Sequence, residues 1–260
     1  MASIVVLPIH DPAGELLPHL RKVMPQMEGV FSGAFLGITA ITAETQPEWV
    51  DWLETRTFFR CMIHRPGLTV GDQFRELYAS AAAAYSPDTL LHLCFVDRLA
   101  FILQGEHCQP FIADMQAVHT DESPLIFLRS EAAWATHPGN YRAAEQMATT
   151  AGQLLFGRTL DFAWCHLVLR ADALGAIIPR TRRPDMSMVA EIVVQAMEQR
   201  IRTKDVDWLA WEDPFLAGRD ARQFKREREE SLQETRKRLA YVIPMLQLLD
   251  AAANGAHLLP

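Results

Sequence analysis

The run Asp88-Thr-Leu-Leu-His-Leu-Cys-Phe-Val-Asp-Arg-Leu-Ala-Phe-Ile-Leu103 constrains the fold more than any other stretch. It is near-continuously apolar from Leu90 to Val96 and then meets charge abruptly at Asp97 and Arg98. Such a run suits a strand covered on both faces, as in a parallel sheet, although a buried helix segment shows the same apolar pattern. In open α/β sheets ligands gather beyond the carboxyl ends of strands, so Asp97 and Arg98 stand where a ligand is expected.

The chain before this run alternates strand and helix. Ile4 to Ile9 is strand-like and closes on the loop His10-Asp11-Pro12-Ala13-Gly14; Leu16, Leu17, Leu20, Val23 and Met24 then follow at helical spacing. A second strand is expected within Gly29 to Thr42, ending near Thr39. A helix follows over Pro47 to Leu53, then a third strand over Phe58 to His64 and a helix from Val70 to Tyr85. This order is the pattern of a parallel α/β sheet.

Beyond Leu103 the alternation loosens. Phe111 to Val118 is helical or irregular, Leu125 to Leu128 a short strand, Ala143 to Phe156 a helix, and Leu160 to Leu169 a buried segment. Met186 to Arg202 reads as an amphipathic helix, and Val206 to Pro214 as a short strand with an acidic mouth at Glu212 and Asp213. Arg219 to Ala253 reads as one long charged helix, kinked or restarted at Pro244. The expected organisation is one α/β domain over residues 1–215 and a charged helical extension over residues 216–260.

Charge and composition exclude several classes. A net charge of -7 gives no electrostatic reason to expect a nucleic-acid partner. Four cysteines form no Cys-x-x-Cys pair, and Cys94 sits inside an apolar run as a small hydrophobe, which points to a reducing, cytoplasmic setting. The N-terminus lacks the basic start of a secretory signal, and no stretch has the roughly 18 to 20 apolar residues of an integral membrane segment. Gly-x-Gly-x-x-Gly after the first strand, the P-loop, Gly-x-Ser-x-Gly and His-Glu-x-x-His are all missing.

What remains is an order of parts: a first strand with a proline near its end, an Arg-bearing helix from Gly71 to Tyr85, and a strand closing on an aspartate. This resembles the nucleotide-sugar half of the GT-A glycosyltransferases. Leu93-Cys94-Phe95-Val96-Asp97-Arg98-Leu99 looks like an uncharacterised prokaryotic branch of that fold with a Cys-Asp-Phe-Asp-Arg pattern. Phe127 to Pro138, Glu145, and Asp161 to Leu169 fall in the order of that branch's later landmarks. The resemblance covers roughly residues 1–215.

The resemblance implies a GT-A-like, mostly parallel sheet flanked by helices, a nucleotide diphosphate-sugar as ligand, and Mg²⁺ or Mn²⁺ held by an Asp-x-Asp against the diphosphate. Oxygen-preferring cations of this kind need only one or two protein carboxylates. Here Phe95 stands in the first aspartate's place, leaving Asp97 as the matching metal ligand and the metal site weakened or lost. Arg98 either faces phosphate or pairs with Asp97. Arg75 lies where the fold places a basic residue near the nucleotide, with a solvated helix charge as the alternative. His10, Asp11 and Thr39 occupy the loops where base or ribose would sit, although polar residues after strands are also ordinary loop chemistry.

His137 is a further binding candidate, or a loop residue before the next helix. Transfer to a hydroxyl needs a general base, for which Asp161, Glu212 and Asp213 are the candidates. The function expected is sugar transfer to an acceptor. The alternative is a degenerate GT-A-fold protein serving as a binding or assembly module, with Phe224, Leu232, Leu239, Val242, Leu246 and Leu249 packing back on the sheet or joining a homodimer.

Overall fold

In the computed structural model, residues 3–119 and 123–255 are described. The strands are Ser3–Ile9 (β1), Phe31–Ile38 (β2), Phe59–Ile63 (β3), Leu90–Cys94 (β4), Leu125–Arg129 (β5), His166–Arg170 (β6) and Arg202–Val206 (β7). Together they form a seven-stranded sheet in the order β3-β2-β1-β4-β6-β5-β7. β1 runs parallel to β2 and β4, β2 to β3, and β5 to β7, whereas β6 is antiparallel to both its neighbours. The parallel pairs require crossover connections, which the intervening helices supply.

Those helices are Leu17–Val30 (α1), Ala40–Thr45 (α2), Pro47–Glu54 (α3), Val70–Ala84 (α4), Val96–Gln104 (α5), Cys108–Ala117 (α6), Glu131–Thr136 (α7) and Gly139–Phe156 (α8). They continue with Ala171–Ile177 (α9), Met188–Ala196 (α10), Asp213–Leu216 (α11), Ala221–Glu230 (α12) and Leu232–Ala253 (α13). Alternate strand residues enter two cores. Val6, Leu91, Leu93 and Leu167 pack with Leu77 of α4, Ile192 of α10 and Met245 of α13; Val5, Leu7, Cys94 and Val168 pack with Leu20 of α1, Leu99 of α5 and Phe111 of α6. Cover on both faces explains the near-continuous apolar character of β4.

Three boundaries differ from the sequence reading. β4 stops at Cys94 rather than Val96, because Val96, Leu99, Ala100 and Leu103 carry helical spacing; Phe95 becomes the extended residue before α5, and Asp97 enters that helix's first turn. The last strand is Arg202–Val206, not Val206 to Pro214. Its Arg-Thr-Lys-Asp-Val sequence carries no apolar signal because it is a charged sheet edge. The C-terminal helix is two helices, broken at Ser231, whose hydroxyl caps α13 by accepting from Glu234 N at 3.2 Å; Pro244 lies inside α13.

α12 and α13 return to the body of the molecule. Tyr141 donates to Glu234, Asn140 donates to the Arg228 carbonyl, and Val242, Met245, Leu248 and Leu249 are fully buried. Residues 256–260 of the expected extension lie outside the described residues. Among the described residues, no helix is long and apolar enough to cross a membrane.

Candidate functional site

The carboxyl ends of β1, β2 and β4 open into a cleft of about 370 Å³. Pro8, Ile9 and His10 line it from β1, Gly37 and Thr39 from β2, and Phe95, Val96 and Asp97 from the β4–α5 junction. Gln73 and Phe74 of α4 and Met186 close the far side. A second recess of about 270 Å³, lined by Glu15, His19, Asp213, Phe224 and Arg228, shares Leu16 and Asp97 with the cleft. A side pocket of about 220 Å³ continues from His10, Thr39 and Gln73 toward Arg65. The site is therefore an elongated groove with Asp97 at its junction, where ligands of open α/β sheets bind.

Local chemistry sets the walls. Thr39 Oγ1 lies 3.2 Å from His10 Nδ1 and 2.9 Å from Thr42 Oγ1, so the loops after β1 and β2 are tied together at the rim. Gly37 lets His64 approach: a Cβ there would lie 2.8 Å from His64 Nε2. Gly71 plays the same part on the far side, since its Cβ would meet the Arg183 carbonyl at 2.0 Å. Its N–H donates to the Pro184 carbonyl at 2.9 Å, fixing the segment that delivers Met186.

Several candidate residues are committed elsewhere. The Asp11 carboxylate is buried and accepts from the N–H groups of Glu15, Leu16 and Leu17, so it holds the turn into α1 and does not line the cleft. Arg75 pairs with Asp72 at 2.5 Å and donates to the Arg183 carbonyl at 2.9 Å. Arg98 forms its ion pair with Glu212, not Asp97; Asp97 Oδ1 instead accepts from the Arg98 backbone N–H at 2.8 Å. Burial pushes the Glu212 carboxyl up, to about 8, against the pull of Arg98.

Asp161 accepts from Arg129 Nε and Nη2 at 3.2 and 2.8 Å and from Ala163 N, and is itself buried. Neither it nor His137 lines the cleft. His137 packs against Trp134 with Nδ1 3.0 Å from the Ala133 carbonyl; burial, then Arg98 and Arg129, pushes it down to about 2, so its ring is neutral. Asp213, half-buried in the first turn of α11, lines the recess beside Asp97.

Two features escaped the sequence reading. One is a buried network in which Arg129 joins Glu145 at 2.5 Å and Asp161 at 2.8 Å, with Arg238 on Glu145 at 3.0 Å. The order of Glu145 and Asp161 was visible, but not the arginine between them. The other is Gln73 and His64 at the groove, for which an amphipathic helix and a strand end carry no distinguishing signal.

Phe95 packs its ring 6.2 Å from Phe74 and 6.1 Å from Trp164, so that position contributes aromatic packing and no metal ligand. Asp97 presents one carboxylate at the junction of groove and recess. That donor set fits Mg²⁺ or Mn²⁺ in company with a diphosphate, because such ions complete their shell with phosphate oxygens and water.

No protein-family model matches the sequence, and no curated protein matches it. By structure, the chain is similar to glucosyl-3-phosphoglycerate synthase from Mycobacterium tuberculosis in complex with Mn²⁺, UDP and phosphoglyceric acid. The TM-score is 0.54 at 10% identity, over 100% of this chain and 79% of that one. The UDP complex of the same synthase gives 0.52 at 10% identity, over 100% and 81%. With the strand order, the antiparallel β6 and the groove at the carboxyl ends, this likeness gives the chain the fold of the GT-A-type glycosyltransferases.

Proposed function

We propose that the groove binds a nucleotide diphosphate-sugar with Mg²⁺ or Mn²⁺ and that the protein transfers the sugar to an acceptor entering through the recess. The observation that carries this reading is Asp97, a carboxylate lying at the carboxyl end of the central strand and lining both groove and recess. In the reading, Asp97 meets the cation, which neutralises the diphosphate leaving group. Phe95 at the start of α5 offers no capping side chain, so the positive end of that helix supports the same negative charge beside Asp97. Thr39 and His10 contact base or ribose.

Asp213 is the base that accepts the acceptor's hydroxyl proton, since Asp161 and Glu212 are each paired with an arginine. Arg98, Arg75, Asp11 and His137 hold the frame around the groove. The Mn²⁺ and UDP in the similar synthase support the class of ligand. The test is thermal shift with UDP- and GDP-sugars: a rise in Tm, larger with Mn²⁺, that Asp97→Ala removes. No shift with any nucleotide sinks the proposal.

Phe95 favours a second reading, a degenerate binding or assembly module, because it packs on Phe74 and Trp164 where the GT-A resemblance expects a carboxylate. In that reading, nucleotide-sugars bind without dependence on Mn²⁺ or do not bind, and light scattering finds a homodimer.

A further inference from the structure

On the face of the sheet opposite α4, two buried imidazoles meet in an apolar chamber. Cys94 on β4 is paired directly across from His166 on β6, and His92 lies two residues before Cys94, so all three side chains leave the same face. His92 Nε2 is 2.8 Å from His166 Nδ1, and one ligand atom from each of the three residues lies within 4.8 Å of the others. All three side chains are fully buried. Phe31, Phe111, Phe127 and Trp208 wall the chamber, with Trp208 at 4.9 Å and 77° to His166 and Phe31 at 5.6 Å and 73° to His92.

The outer nitrogens, His92 Nδ1 and His166 Nε2, have no hydrogen-bond partner among the described residues. Counting protons shows why this matters. The 2.8 Å contact places one hydrogen between the two rings, and a neutral imidazole carries one N–H and one lone pair. When the rings bond to each other, one outer nitrogen is an N–H and the other a bare acceptor, and no donor among the described residues reaches that acceptor. When both inner nitrogens give their lone pairs to a cation, both outer nitrogens carry hydrogen, which aromatic faces accept. The surround fits the second arrangement.

We propose that His92, Cys94 and His166 form a buried site for one soft d¹⁰ cation, Cu⁺ or Zn²⁺. Thiolate and imidazole are the ligands such ions select. Ligand atoms in such a site stand about 3.5 Å apart, so uptake moves the two ring nitrogens apart from 2.8 Å and turns Cys94 toward them. On uptake Cys94 gives its thiol proton to solvent, and the proton between the rings moves to the outer nitrogen of its own imidazole. Cu⁺ with one thiolate is neutral, which suits a chamber walled by aromatic rings. The ion joins β4 to β6 immediately beneath Phe95 and Asp97, and is independent of the cation proposed at Asp97.

The untagged full chain, stripped of metal and kept reduced, is titrated with Cu⁺ or Zn²⁺ against a chromophoric chelator. One equivalent per chain is expected, with at least tenfold weaker binding in Cys94→Ser and His166→Phe. X-ray absorption at the metal edge of the wild-type chain, which needs no variant, is expected to show one sulfur and two imidazoles around the ion. Absence of stoichiometric binding, or a shell of nitrogen and oxygen alone, overturns the proposal and leaves the pair a core hydrogen bond.

Discussion

Replacing Arg129 by Met separates a structural role for Asp161 from a catalytic one. Arg129 reaches Glu145 at 2.5 Å, Asp161 at 2.8 and 3.2 Å, and lies 3.7 Å from the centre of the Trp134 ring. Both carboxylates are nearly inaccessible, at 5% and 6% exposure. Removing one partner of a buried pair costs about 3–5 kcal/mol, mainly through the charge left behind. Glu145 keeps Arg238, so Asp161 is the main uncompensated charge, and the expected loss is about 3–4 kcal/mol. For a chain of this size that lowers Tm by about 10 °C.

The pH dependence has a definite sign. Burial pushes the Glu145 carboxyl up, but Arg129 and Arg238 outweigh it and hold it below the ordinary range. Its stabilisation is therefore present above the unfolded carboxylate pKa and lost as pH falls through the folded value. In Arg129→Met, Glu145 keeps only Arg238, so its folded pKa rises toward the unfolded one. The variant then loses less stability than the wild type as pH falls below the unfolded carboxylate value, and the gap present at neutral pH narrows toward about pH 4. Urea unfolding at both pH values measures it. Adding Asp161→Asn to the variant should recover about 2 kcal/mol. A loss under about 1 kcal/mol, or a gap that does not change with pH, refutes the reasoning.

Gly71→Ala should cost about 1–3 kcal/mol in urea unfolding, because its Cβ meets the Arg183 carbonyl, and should weaken nucleotide binding by moving Met186. Asp213→Asn should leave the Mn²⁺-dependent thermal shift intact while abolishing turnover; equal loss of both would place Asp213 with the donor instead. Phe95→Asp should lower stability by about 2 kcal/mol through lost contact with a partly buried ring, yet strengthen Mn²⁺-dependent nucleotide binding. If binding in that variant shows no added dependence on Mn²⁺, the position does not face the cation.

Much of the groove's frame is local and was legible in the residues. The strand–helix alternation up to Leu103 follows from apolar periodicity. The sharp passage from Leu93 to Asp97 marks the end of a strand buried on both faces, because backbone spacing alone decides which side chains share a face. Elements with weak local signals were misplaced: Arg202–Val206 is a strand only because it pairs with β5, and Ser231 ends a helix by hydrogen bonding rather than by composition. Periodicity also does not say that β6 inserts antiparallel between β4 and β5.

The division is sharper at the level of charge. Sequence by itself determined that Asp97 closely follows the central strand and that Phe95, two residues before it, carries no metal-binding group. Only tertiary structure decided which acids and bases are free: Arg98 is held by Glu212, Asp161 by Arg129, and Arg75 by Asp72 together with a carbonyl 108 positions away. The same packing brings His92 and Cys94 to His166 across two strands far apart in the chain. A buried charge or imidazole takes whichever partner the fold delivers within hydrogen-bond reach, and that choice depends on strand order and helix packing, which no short stretch of residues encodes.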